Sequence, residues 1–495
     1  MSVKPQYETY RYVGEICRLQ GQSLVECRLP GSEISAVLAV HAKAITEESV
    51  CADGEVRYNG KVLINVVYED GEKKVCRAER GVEFYHKVEG AAVSPACFAK
   101  TALACENVSY RREGSGVYVS VVVGADISVY GSKQIEYFSG GENIIAQKEE
   151  ITVCKSVCVS GETEGEDEFE ADYVGDILLH SETVLVERVS AGAGVVDIEG
   201  QINLNICVLK GDDSIGSYER LAPFKMQVPC DEAYGNVGVN ARVLVKNAYL
   251  SVGTDEDKGN SKIVFTYALS ADCFLTAKET LNVVSDAFST EAELQLKRVN
   301  GEGRYLLNVA KGVERVGGVA LLTPVLDGDA VLQSAVLPKA ELVCKKGERG
   351  IEAEGAVTAV LIMKTAEGSY QSCDLTLPVV FPVETDAEFV EIDCMVCGLN
   401  VRRKKSGETE AEAVLKLSVR SYEQRSWTYI AEMAEGEVYE RNDCAFSVFM
   451  PRVGEDLWQV AKRLRCEPED LKKSNPNLTF PVREGEKIFV YRQIK

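Results

Sequence analysis

Tyr58-Asn59-Gly60, running on into Val62-Leu63-Ile64-Asn65-Val66-Val67-Tyr68, decides how this chain is read. The run is apolar and β-branched and closes on the turn Glu69-Asp70-Gly71, which predicts a buried β-strand. The same order returns twice. Ile198-Glu199-Gly200 leads into Ile202-Asn203-Leu204-Asn205-Ile206-Cys207-Val208, with a turn around Lys210-Gly211-Asp212. Ala353-Glu354-Gly355 leads into Val357-Thr358-Ala359-Val360-Leu361-Ile362-Met363, with a turn around Ala366-Glu367-Gly368. The three glycines stand 140 and 155 positions apart. A pattern that returns at such a spacing predicts copies of one structural unit.

The match extends past each turn. An apolar–aromatic edge follows at Gly81-Val82-Glu83-Phe84, at Ala222-Pro223-Phe224 and at Leu377-Pro378-Val379-Val380-Phe381-Pro382. Two alternating strands then close each copy: 99–110 with 117–130, 237–252 with 263–275, and 388–402 with 411–422. Polar turns at 112–116, 253–262 and 404–407 join each pair. Period-two alternation with Gly, Asp and Asn turns predicts antiparallel strands, for which a sandwich or partly open barrel is the natural closure. The expected fold is mainly β: three tandem β-rich modules at 1–140, 141–285 and 286–430, followed by a small βααβ domain at 445–495. The acidic run 161–172 reads as an exposed connector or loop, and 431–443 as a polar linker. Gly192-Ala193-Gly194 and Gly301-Glu302-Gly303 lack a third glycine and a following helix, so both read as strand turns, not nucleotide loops.

The character changes from Ser447 onward. The strand Ser447-Val448-Phe449-Met450 runs to a turn at Gly454-Glu455. Asp456 is placed to cap a helix, with Gln459 completing a capping box. Leu457, Val460, Ala461 and Leu464 share one helical face, and Trp458 stands at its margin, suited either to packing or to contact. A second helix begins at Glu467-Pro468 and ends at Ser474-Asn475-Pro476-Asn477. A turn at Glu484-Gly485-Glu486 starts the return strand Lys487-Ile488-Phe489-Val490-Tyr491.

The net charge of −22 disfavours nucleic-acid partners. Residues 447–495 hold ten Lys/Arg and seven Asp/Glu, a net of +3, so the remainder carries −25. The 17 cysteines are odd in number and scattered through apolar runs, which predicts reduced core thiols in a cytoplasmic compartment. The first ten residues hold no apolar run, so no signal peptide is expected, and no stretch approaches the length of a membrane-spanning helix. No catalytic motif is found. Cys394 and Cys397 have zinc-like spacing, but three positions apart on a strand they face opposite ways. No metal or cofactor is expected. His41, His86 and His180 lie far apart in sequence and read as surface or satisfied polar residues.

Gly454-Glu455-Asp456-Leu457-Trp458, Val460-Ala461-Lys462-Arg463, Ser474-Asn475-Pro476-Asn477 and Glu484-Gly485-Glu486-Lys487-Ile488 together resemble a LysM domain. Asp456 departs from that family's threonine. With the tail so read, the three β-rich copies resemble SPOCS modules, which occur beside a C-terminal LysM domain in spore-coat morphogenetic proteins. The resemblance implies a non-catalytic scaffold of the mother-cell cytoplasm at the forespore surface. It would dock the coat's basement-layer ATPase, of the SpoIVA type, through the tail. The alternative it leaves open is a binder of peptidoglycan or N-acetylglucosamine oligomers. The implied contact residues are Gly454, Glu455, Asp456, Leu457, Trp458, Asn475, Pro476 and Asn477. Lys462, Arg463, Lys472 and Lys473 form a candidate docking patch for an acidic partner.

Overall fold

The computed structural model describes residues 3–30, 33–235, 237–255, 260–324, 330–347, 350–404, 408–440 and 446–491. The expected turns at 253–262 and 404–407, the linker at 431–443 and the tail's last residues lie partly outside them. The first segment comprises β1 (Lys4–Pro30), β2 (Ala36–Ala52), β3 (Glu55–Glu69), β4 (Val75–Glu89), β5 (Phe98–Glu113) and β6 (Gly116–Glu142). The second holds β7 (Ile145–Asp172), β8 (Val174–Gly192), β9 (Val195–Lys210), β10 (Ile215–Pro229), β11 (Val237–Asp255) and β12 (Asn260–Phe288). The third holds β13 (Ala292–Thr323), β14 (Val331–Gly347), β15 (Gly350–Lys364), β16 (Tyr370–Val383), β17 (Phe389–Arg403) and β18 (Thr409–Val438). The protein is mainly β.

The strand order recurs. Each segment contains a three-stranded antiparallel meander, ordered β2-β3-β4, β8-β9-β10 and β14-β15-β16. Each also closes a long last strand between its first and fifth strands, as β1-β6-β5, β7-β12-β11 and β13-β18-β17. In the third segment the two triples join through Leu321–Thr323 on β13 against Asp374–Thr376 on β16, giving one six-stranded sheet.

Gly60, Gly200 and Gly355 are each the sixth residue of a meander's middle strand. A Cβ there would lie 2.6 Å from the Ile45 carbonyl oxygen, 2.4 Å from that of Leu185 and 1.9 Å from that of Glu341. The neighbouring strand approaches too closely for any side chain, so glycine is required for packing. The ring of Phe84 lies opposite Gly60 and that of Phe224 opposite Gly200; Val379 takes that place in the third segment. The turns match as well. The amides of Asp70, Lys210 and Thr365 donate to the carbonyls of Lys74, Ser214 and Ser369. Lys73, Asp213 and Gly368 take positive φ at the same place in those turns.

Three expectations from sequence need correction. The acidic run 161–172 is part of β7. Its glutamates at 162, 164, 166, 168 and 170 alternate onto the exposed face, while Phe169 and Ala171 turn inward. A period-two acidic pattern is a solvated strand face, and charge count alone had suggested a loop. Gly301 and Gly303 are not in a turn; they lie within β13 where the Trp427 indole crosses it, and a Cβ on Gly301 would come within 2.2 Å of that ring. The expected linker at 431–443 begins as strand, because β18 runs to Val438. By contrast, Ala193 and Gly194 do form the β8–β9 turn, both with positive φ.

Each segment encloses its own apolar core: Val62, Ile64, Val119 and Val121 in the first, Ile202, Leu204, Phe265 and Leu269 in the second, Val357, Leu375 and Leu415 in the third. A further cluster joins them. Val67, Cys207 and Ile362, each the thirteenth residue of its middle strand, are buried together with Leu38, Leu178, Leu179, Ile215 and Tyr370. The Tyr370 amide donates to the Glu69 carboxylate at 2.7 Å, and the Tyr370 hydroxyl donates to the Asp213 carbonyl at 3.2 Å. Residues of the long ribbons meet elsewhere: Ile135, Tyr137, Ile151, Val153, Val283 and Trp427 share another core. The three segments therefore form one continuous body.

Candidate functional site

The tail adds β19 (Phe446–Phe449), α1 (Leu457–Leu464), α2 (Pro468–Ser474) and β20 (Ile488–Tyr491), with β19 and β20 antiparallel. Asp456 caps α1: its carboxylate accepts the Gln459 amide at 2.7 Å, and the Gln459 side chain accepts the Asp456 amide at 3.1 Å. Val460, Ala461, Leu464, Leu471, Val482, Ile488 and Val490 form the tail's core. The body completes it with Phe288 and Ile145.

The structure sorts the candidate tail residues into three groups. Gly454, Pro476 and Asn477 are exposed, and Gly454 takes φ +89°, the left-handed region that glycine tolerates. A second group is internal. Leu457 packs on the tail core. Asn475 is buried; its amide donates to the carbonyls of Leu471 at 2.9 Å and Phe489 at 2.7 Å, and its oxygen accepts the Phe489 amide at 2.7 Å. It ties α2 to β20 and offers nothing to a ligand. Glu455 is engaged by Arg463, and Asp456 by its own helix, so the loop's acids are already neutralised or capped.

The third group faces the body. The Trp458 indole donates to Asp286 at 2.8 Å and packs edge-on against Phe288 at 5.1 Å. Lys462 donates to both Asp286 oxygens at 2.7 Å, and Arg298 lies 3.2 Å from one of them. Burial alone would raise the Asp286 pKa, but the bonds from Lys462 and Trp458 outweigh it and hold the carboxyl below its ordinary range. A strand irregularity between Val284 and Asp286 sets Asp286 out of the regular ladder. Of the candidate basic patch, Lys462 and Arg463 are spent on internal pairs, while Lys472 and Lys473 stay exposed on α2.

The tail's outward surface lies on the other side of its sheet. Ile488 and Val490 point into the core. Phe446, Val448, Phe489 and Tyr491 point out, with Met450 following, and are 40–64% exposed. Phe446 stacks on Phe489 at 5.9 Å and meets Tyr491 at 5.2 Å. Strand alternation carried this face in the sequence, but the helix motif drew the attention.

Sequence reasoning also missed a cluster in the body. His41 on β2 and His180 on β8 are brought together with Lys43 and Glu182. At matched register positions the first segment has Val40 and Ala42 where the second has His180 and Glu182. The Glu182 side chain is only 1% exposed; Lys43 donates to it at 2.7 Å and the His180 ring bonds its other oxygen. Burial opposes its charge, yet these partners hold its pKa down at about 2. Burial pushes the His41 pKa down to about 4, with Lys43, His180 and Lys339 acting the same way against Glu182. Beside this cluster opens a cavity of about 790 Å³ walled by β2, β5, β7, β8, β11, β12 and β14.

Among the described residues no group of three or more His, Cys, Asp or Glu could hold a metal ion, and no helix is long and apolar enough to cross a membrane. Cys466 aside, the fifteen other described cysteines form no disulfide. No family model, curated protein or solved structure matches the chain.

Proposed function

We propose that this chain is a non-catalytic assembly scaffold whose body carries the tail as a docking element for another protein. The outward face formed by Val448, Phe489 and Tyr491 carries this reading, because a compact apolar–aromatic patch on an otherwise acidic chain is the composition of a protein-binding surface. The resemblance of the segments to SPOCS modules and of the tail to a LysM domain supplies the setting. The partner is the basement-layer ATPase of a spore coat, met at the forespore surface from the mother-cell cytoplasm. In this reading the segments are three copies of one module that form a rigid platform. The glycan-binding alternative gains no support from the loops, where Asn475, Glu455 and Trp458 are committed to internal bonds.

The test is a paired binding assay. The full chain and a chain ending at residue 445 are presented with the purified coat ATPase and with purified peptidoglycan. The reading expects the ATPase to be retained by the full chain alone, and peptidoglycan by neither. Tight retention of peptidoglycan without the ATPase would replace it with the glycan reading. A fluorescent fusion should gather at the forespore surface during sporulation.

A further inference from the structure

The cavity beside His41 lies in the body, away from the tail's docking face. Its volume, about 790 Å³, is within the range that encloses small organic ligands. Its apolar wall includes Leu103 and Val108 of β5, Val243 of β11 and Leu337 ahead of Lys339 on β14. Its charged wall is unevenly committed. Glu182 is satisfied by Lys43 and His180, and Asp272 by Lys100 and Ser160. His41 is different. It lines the cavity, and none of the described residues hydrogen-bonds its ring. Glu182 presses negative potential on it, and Lys43 and Lys339 positive. Lys43 is spent on Glu182, whereas Lys339 is held only by the exposed Glu341, so an imidazole N–H without an acceptor stands near an ammonium that a second carboxylate can reach.

We propose that this cavity binds a small amphiphilic anion, a carboxylate or sulfonate on an apolar body, whose acidic group is received by His41 and Lys339 while its body lies against Leu103, Val108, Val243 and Leu337. The anion supplies the hydrogen bond that His41 lacks and competes with the exposed Glu341 for Lys339. Departure from the repeating pattern marks the same place, since Val40 and Ala42 of the first segment are replaced by His180 and Glu182 in the second.

Calorimetric titration of the full chain with decanoate, and separately with decan-1-ol, tests this. Decanoate is expected to bind saturably at one site below its micelle-forming concentration, and more tightly than the alcohol. Ala104 stands exposed on the cavity wall, so Ala104→Trp places a ring in open space without disturbing a core. It should abolish binding with the circular dichroism spectrum unchanged. His41→Phe keeps the ring's bulk and removes its bonding; it should weaken decanoate by about tenfold or more and leave decan-1-ol unchanged. Decanoate binding that survives Ala104→Trp would place the ligand elsewhere. Equal affinity for acid and alcohol, or no saturable binding, would overturn the anion site.

Discussion

The body and the tail are each held in place by contacts with residues distant in sequence, but by different means. The three segments of the body meet through matched apolar residues, Val67, Cys207 and Ile362, inside a shared core. The tail meets the body through Phe288, Ile145 and one aspartate, Asp286, that answers Trp458 and Lys462. Apolar area buried from three sides cannot be lost piecemeal, so the body should fail as a unit. A polar latch with a small apolar contact can open while both parts stay folded.

The largest effect should come from the meander glycines. Gly355→Ala drives a Cβ against the Glu341 carbonyl, and backbone cannot yield as a flexible side chain would. A cost of about 3 kcal/mol or more is expected, read as a lowered Tm in one transition. Next comes the shared core. Ile362→Ala should cost about 2–5 kcal/mol. Hydrogen exchange should then rise in β3 and β9 as well as in β15. Exchange confined to the third segment would break the comparison, showing the segments to be independent.

The latch should respond on a smaller scale. Asp286→Ala leaves Lys462 and Trp458 without their acceptor, and about 1–3 kcal/mol of docking should be lost. Protease sensitivity near residues 446–456 should rise while the body's Tm holds. Acid should act in the same way. The Asp286 pKa is lowered in the folded protein, so its contribution is present above the ordinary aspartate range and is lost as pH falls through the lowered value. The body has its own pH signature. His41 binds a proton near 6.5 when unfolded but only near 4 when folded, among Glu182, His180, Lys43 and Lys339. Its contribution is therefore present above 6.5 and lost as pH falls towards 4. Thermal melts across that window should show the loss, and His41→Phe should flatten it.

Much of the fold was legible because strands advertise themselves by period. The runs after Gly60, Gly200 and Gly355 became middle strands of meanders with the glycine at one shared place. Asp456 and Gln459 formed the expected box, since capping depends on residues three apart. What failed was tertiary. Residues 161–172 alternate as any half-exposed strand does, but seven acids in twelve positions suggested solvent on every side. His41 and Glu182 lie 141 positions apart, and only the meeting of two segments puts them together. Trp458 at a helix margin could not reveal Asp286, because the acceptor lies 172 residues earlier on a strand irregularity.

The smallest expected change in stability is the most informative about docking. Phe489 is 40% exposed on the outward face of β20, opposite to Ile488 and Val490, which belong to the tail core. Phe489→Ser removes contacts on the outward face, among them the stack on Phe446, so stability should move by about 1 kcal/mol or less. If the outward face binds the partner, affinity for the coat ATPase should nonetheless fall by about tenfold or more, because aromatic side chains dominate binding hot spots. Trp458→Ala is the necessary contrast. It weakens the latch by removing the Asp286 bond and the Phe288 contact, so it should loosen the tail from the body. Partner affinity of the isolated tail, residues 446–495, need not change, once its thermal unfolding shows that it folds alone. A pattern in which Trp458→Ala abolishes binding by the isolated folded tail, and Phe489→Ser does not, would move the docking surface from the sheet to the helix face that the body now covers. The latch would then have to open before the partner could bind.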